Sequence, residues 1–187
     1  MTRGRRIGII GLGHMGLPTC ARLVEQGFDV VATDLRPGHR AAAIETGAQW
    51  ANCAAEVASR CDALITLLPG PGEVSAIVAE LIEALPAGCT WIDMTSATPA
   101  VAREIARTAA GRGVRILDAP VGGGPAQARS GRLLAFVGGS DSDLAAQRDG
   151  VGRLVLRQAP QNRHLGPQHI AVGDGRDYLA RRKLHRL

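Results

Sequence analysis

The chain has 187 residues, 45 % of them apolar and 3 % aromatic, and a formal net charge of +5. That length suits one α/β domain with a short appendage, and no apolar stretch reaches the roughly 18 residues a membrane span requires. Residues 1–143 carry 13 basic and 14 acidic side chains while 144–187 carry 9 and 3, a split that argues against a uniformly basic nucleic-acid binder.

Arg6-Ile7-Gly8-Ile9-Ile10 is a short apolar run that ends in glycines and reads as a buried strand. Residues 14–27 follow with helical spacing (Met15, Cys20, Leu23, Val24) and stop at Gly27. Phe28 to Thr33 reads as a second strand, closed by Asp34. Helices are then predicted near 38–46, 53–59, 72–84 and 98–110, and strands near 48–50, 62–67, 90–93 and 114–118. Pro99 at the start of the last helix and Gly111 just past it have the polarity expected of breakers. Repeated βα units predict an α/β, Rossmann-type, doubly wound and mostly parallel sheet over residues 1–143.

Arg3, Arg5 and Arg6 ahead of an apolar run ending at Leu17-Pro18-Thr19-Cys20 resemble a lipoprotein leader in outline. Gly11, Gly13, His14 and Gly16 break that run, so a leader is not expected. Cys20, Cys53, Cys61 and Cys89 show no CxxC spacing and no nearby histidine arranged as a ligand. They read as reduced thiols of a cytoplasmic protein, with no metal site.

Gly11-Leu12-Gly13-His14-Met15-Gly16 is a G-x-G-x-x-G that follows a strand, opens a helix and is answered by Asp34, 18 positions after Gly16. This is the context in which the pattern marks a dinucleotide site. Gly11 allows the tight turn, Gly13 lets the backbone approach a pyrophosphate, and Gly16 lets helix and strand pack closely. The helix N-terminus offers free N–H donors to the phosphates. A carboxylate at Asp34 accepts the adenosine ribose hydroxyls and repels a 2′-phosphate, which favours NAD over NADP. Arg36 and Arg40 lie close enough in sequence to soften that preference, so NADP is not excluded. The competing reading makes Asp34 the cap of the next helix.

Four stretches, IGIIGLGHMGLP (7–18), ITLLPGPGEV (65–74), IDMTSATP (92–99) and DAPVGGGPAQARSGRLLAFVGG (118–139), together resemble the β-hydroxyacid dehydrogenases. That family includes the 3-hydroxyisobutyrate and tartronate semialdehyde enzymes and the cofactor domain of 6-phosphogluconate dehydrogenase. The resemblance covers about residues 5–140 and implies hydride transfer between a nicotinamide cofactor and a small 3-hydroxy acid or its semialdehyde. It implies that Leu68 and Pro69 line the cofactor cleft and that Ser96 places a hydroxyl on the cofactor; the alternatives are a plain turn and a helix cap. Gly122, Gly123 and Gly124 match the substrate loop, whose backbone N–H groups can cradle a carboxylate. The family has serine where this chain has Gly122, and a glycine loop without ligand is the alternative.

The resemblance stops in the tail. The family's proton-handling lysine follows a motif that begins here at His164-Leu165-Gly166-Pro167, and its expected position is Gly175. Arg176 stands beside it, but a guanidinium does not deprotonate in proteins. The one lysine of the chain is Lys183, and no asparagine follows Asn162. No catalytic residue is therefore identified. Residues 144–187 read as an atypical basic tail, either disordered or the product of a frame shift near Pro167, and the family's all-helical dimer-forming domain has no counterpart in them. Three functions follow: an oxidoreductase, a cofactor-binding fragment with little turnover, or a sensor or scaffold whose basic tail binds nucleic acid or an acidic partner. Tyr178 stands alone without further aromatics, which disfavours the third.

Overall fold

The computed structural model describes residues 5–140 and 142–143, together with the backbone of 170–172. Strands β1 (Arg6–Ile10), β2 (Asp29–Thr33), β3 (Gln49–Trp50), β4 (Ala63–Thr66), β5 (Thr90–Asp93) and β6 (Arg115–Asp118) form one sheet. Their order is β3-β2-β1-β4-β5-β6, and every adjacent pair is parallel. Helices α1 (Gly16–Glu25), α2 (His39–Glu45), α3 (Ala54–Ser59), α4 (Pro71–Ala84) and α5 (Pro99–Ala109) connect them. The doubly wound sheet expected from sequence is present.

Local chemistry sets these boundaries. The turns that follow α1 and α5 contain Gly27 (φ +85°) and Gly111 (φ +81°), a backbone region that glycine enters without steric cost. Pro71 and Pro99 open α4 and α5, where the missing N–H has no helical partner to lose.

Both sheet faces are covered, so β1 and β4 are apolar almost throughout. On one face Ile7, Ile9, Ile65, Ile92 and Leu117 pack with Cys20 and Leu23 of α1 and Ala43 of α2. On the other, Ile10, Leu64 and Trp91 pack with Val57 of α3, Val78 and Leu81 of α4, and Ile105 of α5. The chain moves outward from β1 to β2 and β3, then returns to place β4 on the opposite side of β1. That reversal opens a crevice at the carboxyl ends of β1 and β4, where doubly wound folds bind ligands.

A second sheet was not expected from sequence. Strands β7 (Val121–Gly122), β8 (Leu134–Val137) and β9 (Ile170–Val172) pair antiparallel in that order, with α6 (Pro125–Arg129) between β7 and β8. Asp118 N donates to Gly138 O at 2.9 Å and Gly138 N to Asp118 O at 2.7 Å, which ties β8 to the edge of the main sheet. These elements run to only a few residues each and so show no readable period. Strand β9 falls inside 144–187, where the sequence reading expects no regular element; it completes the edge of β8, whose backbone groups need partners. The other tail residues, His164, Pro167, Gly175, Arg176 and Lys183 among them, lie outside the described residues.

Candidate functional site

The glycine loop sits at the crevice, and each glycine has a different constraint. Gly11 has φ +92°, and a Cβ there would lie 2.3 Å from Leu67 O. A Cβ on Gly16 would lie 1.8 Å from Gly11 O, so α1 reaches the loop only because residue 16 has no side chain. Around Gly13 the one atom within 4 Å of such a Cβ is Nη2 of Arg36, at 3.3 Å. Gly13 therefore presents bare backbone to an open face, a cradle that any side chain would fill. His14 is exposed and Met15 half-buried beside it, and Met15 precedes the first turn of α1.

Asp34 is bound into this loop. Its Oδ2 accepts the N–H of Leu12 at 2.7 Å, and its Oδ1 accepts the N–H of Arg36 at 2.7 Å. The side chain is 7 % exposed; Nε of Arg36 lies 3.4 Å from Oδ1, and Nδ1 of His39 lies 3.1 Å from Oδ2 without hydrogen-bond alignment. Burial pushes the carboxyl up, but the two backbone donors and His39 outweigh it, leaving Asp34 below the ordinary aspartate range. It is thus a carboxylate throughout neutral pH. Asp34 does not cap α2: the N-cap there is Gly38, and Asp34 closes the turn before it. The N–H of Leu12 is spent on this clasp.

Leu68 is half-buried and Pro69 exposed, just beyond β4 on the other side of β1. Ser96 is exposed beyond β5 and caps no helix, since Thr98 is the N-cap of α5. Glycine loop, Asp34, Leu68, Pro69 and Ser96 all follow carboxyl ends of strands in one sheet. The structure adds what sequence reasoning missed, a buried polar row behind them. Trp91 Nε1 donates to Thr66 Oγ1 at 2.9 Å, and Thr66 Oγ1 donates to Asp93 Oδ1 at 2.8 Å. Thr95 N donates to the same oxygen at 3.1 Å, and Leu68 N donates to Thr95 Oγ1 at 3.1 Å. The clue in the sequence was Asp93 and Thr95, two polar residues flanking Met94 at the end of an apolar strand.

Gly122, Gly123 and Gly124 stand apart from the glycine loop, on β7 and the turn into α6. Gly123 has φ +118°. A Cβ on Gly122 would meet Leu134 at 3.9 Å, ordinary contact, so glycine is not required there. The N–H of Gly124 donates to Gln127 Oε1 at 3.0 Å, so this one of the proposed carboxylate donors already has a partner. Asp118, one turn of chain before this loop, is paired across the sheet with Asp93. Burial and the nearby Asp93 carboxyl push Asp118 up to about 6.

The NAD binding domain of 6-phosphogluconate dehydrogenase is the family whose model matches, over residues 6–151. The chain belongs to this family. Among relatives of this NAD-binding domain, 2-(hydroxymethyl)glutarate dehydrogenase of Eubacterium barkeri is 36 % identical over 145 residues, covering 76 % of this chain and 48 % of that protein. Mitochondrial 3-hydroxyisobutyrate dehydrogenase of Rattus norvegicus is 34 % identical over 149 residues, covering 78 % and 44 %. The solved 3-hydroxyisobutyrate dehydrogenase of Mycobacterium tuberculosis with L-serine matches with a TM-score of 0.74 at 32 % identity, covering 78 % and 50 %. The chain spans about half the length of the curated relatives it matches. Among the described residues no helix is long and apolar enough to cross a membrane, and no group of metal-ligating side chains occurs.

Proposed function

We propose that this NAD-binding domain serves an oxidoreductase that passes hydride between a nicotinamide cofactor and a small 3-hydroxy acid or its semialdehyde. The clasp of Asp34 on the glycine loop carries the reading: a fixed carboxylate beside a bare backbone cradle matches a ribose diol next to a pyrophosphate. Gly11 to Gly16 would hold the phosphates, Asp34 the adenosine ribose, and Leu68, Pro69 and Ser96 the nicotinamide half. Bound there, the nicotinamide ring supplies the hydride donor or acceptor. Gly122 and Gly123 would present backbone to the substrate carboxylate. The charge on Asp34 favours NAD, while Arg36 above Gly13 leaves room for NADP. Free cysteines fit a cytoplasmic setting.

A second reading rests on two positions. Gly122 lacks the hydroxyl, and Gly175 lacks the amine, that the resemblance expects. The substrate oxygen must still exchange a proton. The chain then binds cofactor with little turnover of its own. Fluorescence titration with NADH and NADPH, followed by an assay of NAD reduction with a panel of 3-hydroxy acids, separates the readings. Tighter binding of NADH without turnover is expected. Turnover would restore the first reading for this chain alone, and no binding of either nucleotide would remove both.

A further inference from the structure

The polar row beneath the crevice has a direction. Each donor points to the next acceptor from the Trp91 indole through Thr66 to Asp93, and the Asp93 carboxyl also receives the Thr95 amide. Thr66, Asp93 and Thr95 are buried, so these bonds face little competition from water. Beyond Thr66 the β4–β5 ladder ends: Met94 N donates to Thr66 O at 2.9 Å as its last rung. Leu67 N turns the other way, to Ile10 O at 3.0 Å. The next amide along, that of Leu68, donates to the Thr95 hydroxyl rather than to a backbone carbonyl. One side chain thus adds a rung to the ladder at the point where the chain leaves the sheet for the crevice.

We infer that Thr95, held by Asp93, is a positioning residue that fixes the Leu68–Pro69 wall against the nicotinamide half of the cofactor. The inference rests on the dinucleotide reading above. The strand order supplies its polarity: Asp34 follows β2 on one side of β1, and Leu68 follows β4 on the other. A nucleotide whose adenosine ribose meets Asp34 and whose pyrophosphate lies over Gly13 reaches the Leu68 wall with its nicotinamide end. Thr95 touches the wall and not the cofactor. Its loss leaves a half-buried amide without a partner, a defect that frees the wall and leaves the adenosine side intact.

The test uses the full chain and compares NADH with ADP-ribose, which lacks the nicotinamide ring. Thr95→Val keeps the shape and removes the hydroxyl; Thr95→Ser keeps the hydroxyl. Expected for Thr95→Val is a loss of NADH affinity of about five- to tenfold with ADP-ribose affinity unchanged, and recovery in Thr95→Ser. Equal losses for both ligands, or none for NADH, would overturn the inference. Failure of the unsubstituted chain to bind either ligand would instead remove the dinucleotide reading, and the inference with it. Amide hydrogen exchange at Leu68 in the unsubstituted chain needs no variant: protection is expected, and exchange at the rate of an open loop would also overturn the inference.

Discussion

Asp34 shows how much one side chain can settle. Its carboxylate joins loop and strand through two backbone amides and keeps a negative charge where the second ribose is expected. Because its folded-state pKa is lowered, the interaction is complete above the ordinary aspartate range and is lost only as pH falls through the lower folded value. NADH affinity is therefore expected to be flat from pH 8 down to about 5. Asp34→Ala should weaken NADH by at least about tenfold and narrow the gap to NADPH, since a charge-assisted bond is lost and a repulsion relieved; an unchanged NADH-to-NADPH ratio in the titration would contradict that role. Asp118 has the opposite sign. Its pKa is raised to about 6 by burial and by Asp93, so it costs stability when ionised above that value. The cost fades as pH falls toward the unfolded aspartate value near about 4. Asp118→Asn should then raise Tm at pH 7.5 by about 2–4 °C and have no effect at pH 4, as thermal unfolding at the two pH values will show. Asp34 was legible in the sequence from its spacing to Gly16. The Asp93–Asp118 neighbourhood was not, because only strand register brings residues 25 apart in sequence side by side.

Among the elements, the glycine loop and α1 form one unit whose tolerance can be measured. Gly16→Ala would place Cβ against the Gly11 carbonyl, and neither backbone can retreat without opening the turn. A loss of about 1–3 kcal/mol or more is expected, with NADH binding abolished. Denaturant titration of the variant checks this, and wild-type stability would refute the close packing. Gly122→Ser is the contrasting case, since its Cβ finds ordinary contact with Leu134. The variant should keep the wild-type Tm within about 1–2 °C, as a surface substitution without strain does; a larger drop would mean β7 is packed differently. The helices and strands up to Asp118 were readable because each carries a clear period or a breaker, such as Pro99 and Gly111. Helix α6 and strands β7 and β8 were not, being two to five residues long and held by pairing with distant chain. Thr95 escaped notice for a similar reason: its partner, the Leu68 amide, is 27 residues away.

For the molecule as a whole, the strand order decides the function more than any composition does. The reversal at β1 gathers the glycine loop, Asp34, Leu68 and Ser96 at one end of one sheet, although they span residues 11 to 96. That gathering was foreseeable from the alternation of strand and helix signals, whereas the second sheet was not. Gly122 to Gly124 belong to the second sheet, whose third strand comes from 170–172. The matched region covers a little under half of each of the curated relatives. The most direct measurement is a titration of the isotopically labelled chain with NAD, followed by amide chemical shifts. Saturable shifts are expected at Gly11, Gly13, Gly16 and the Asp34–Arg36 turn, with smaller ones at Leu68 and Ser96. Saturation with no movement in the glycine loop, or no saturation at all, would contradict the assignment of this crevice to a dinucleotide.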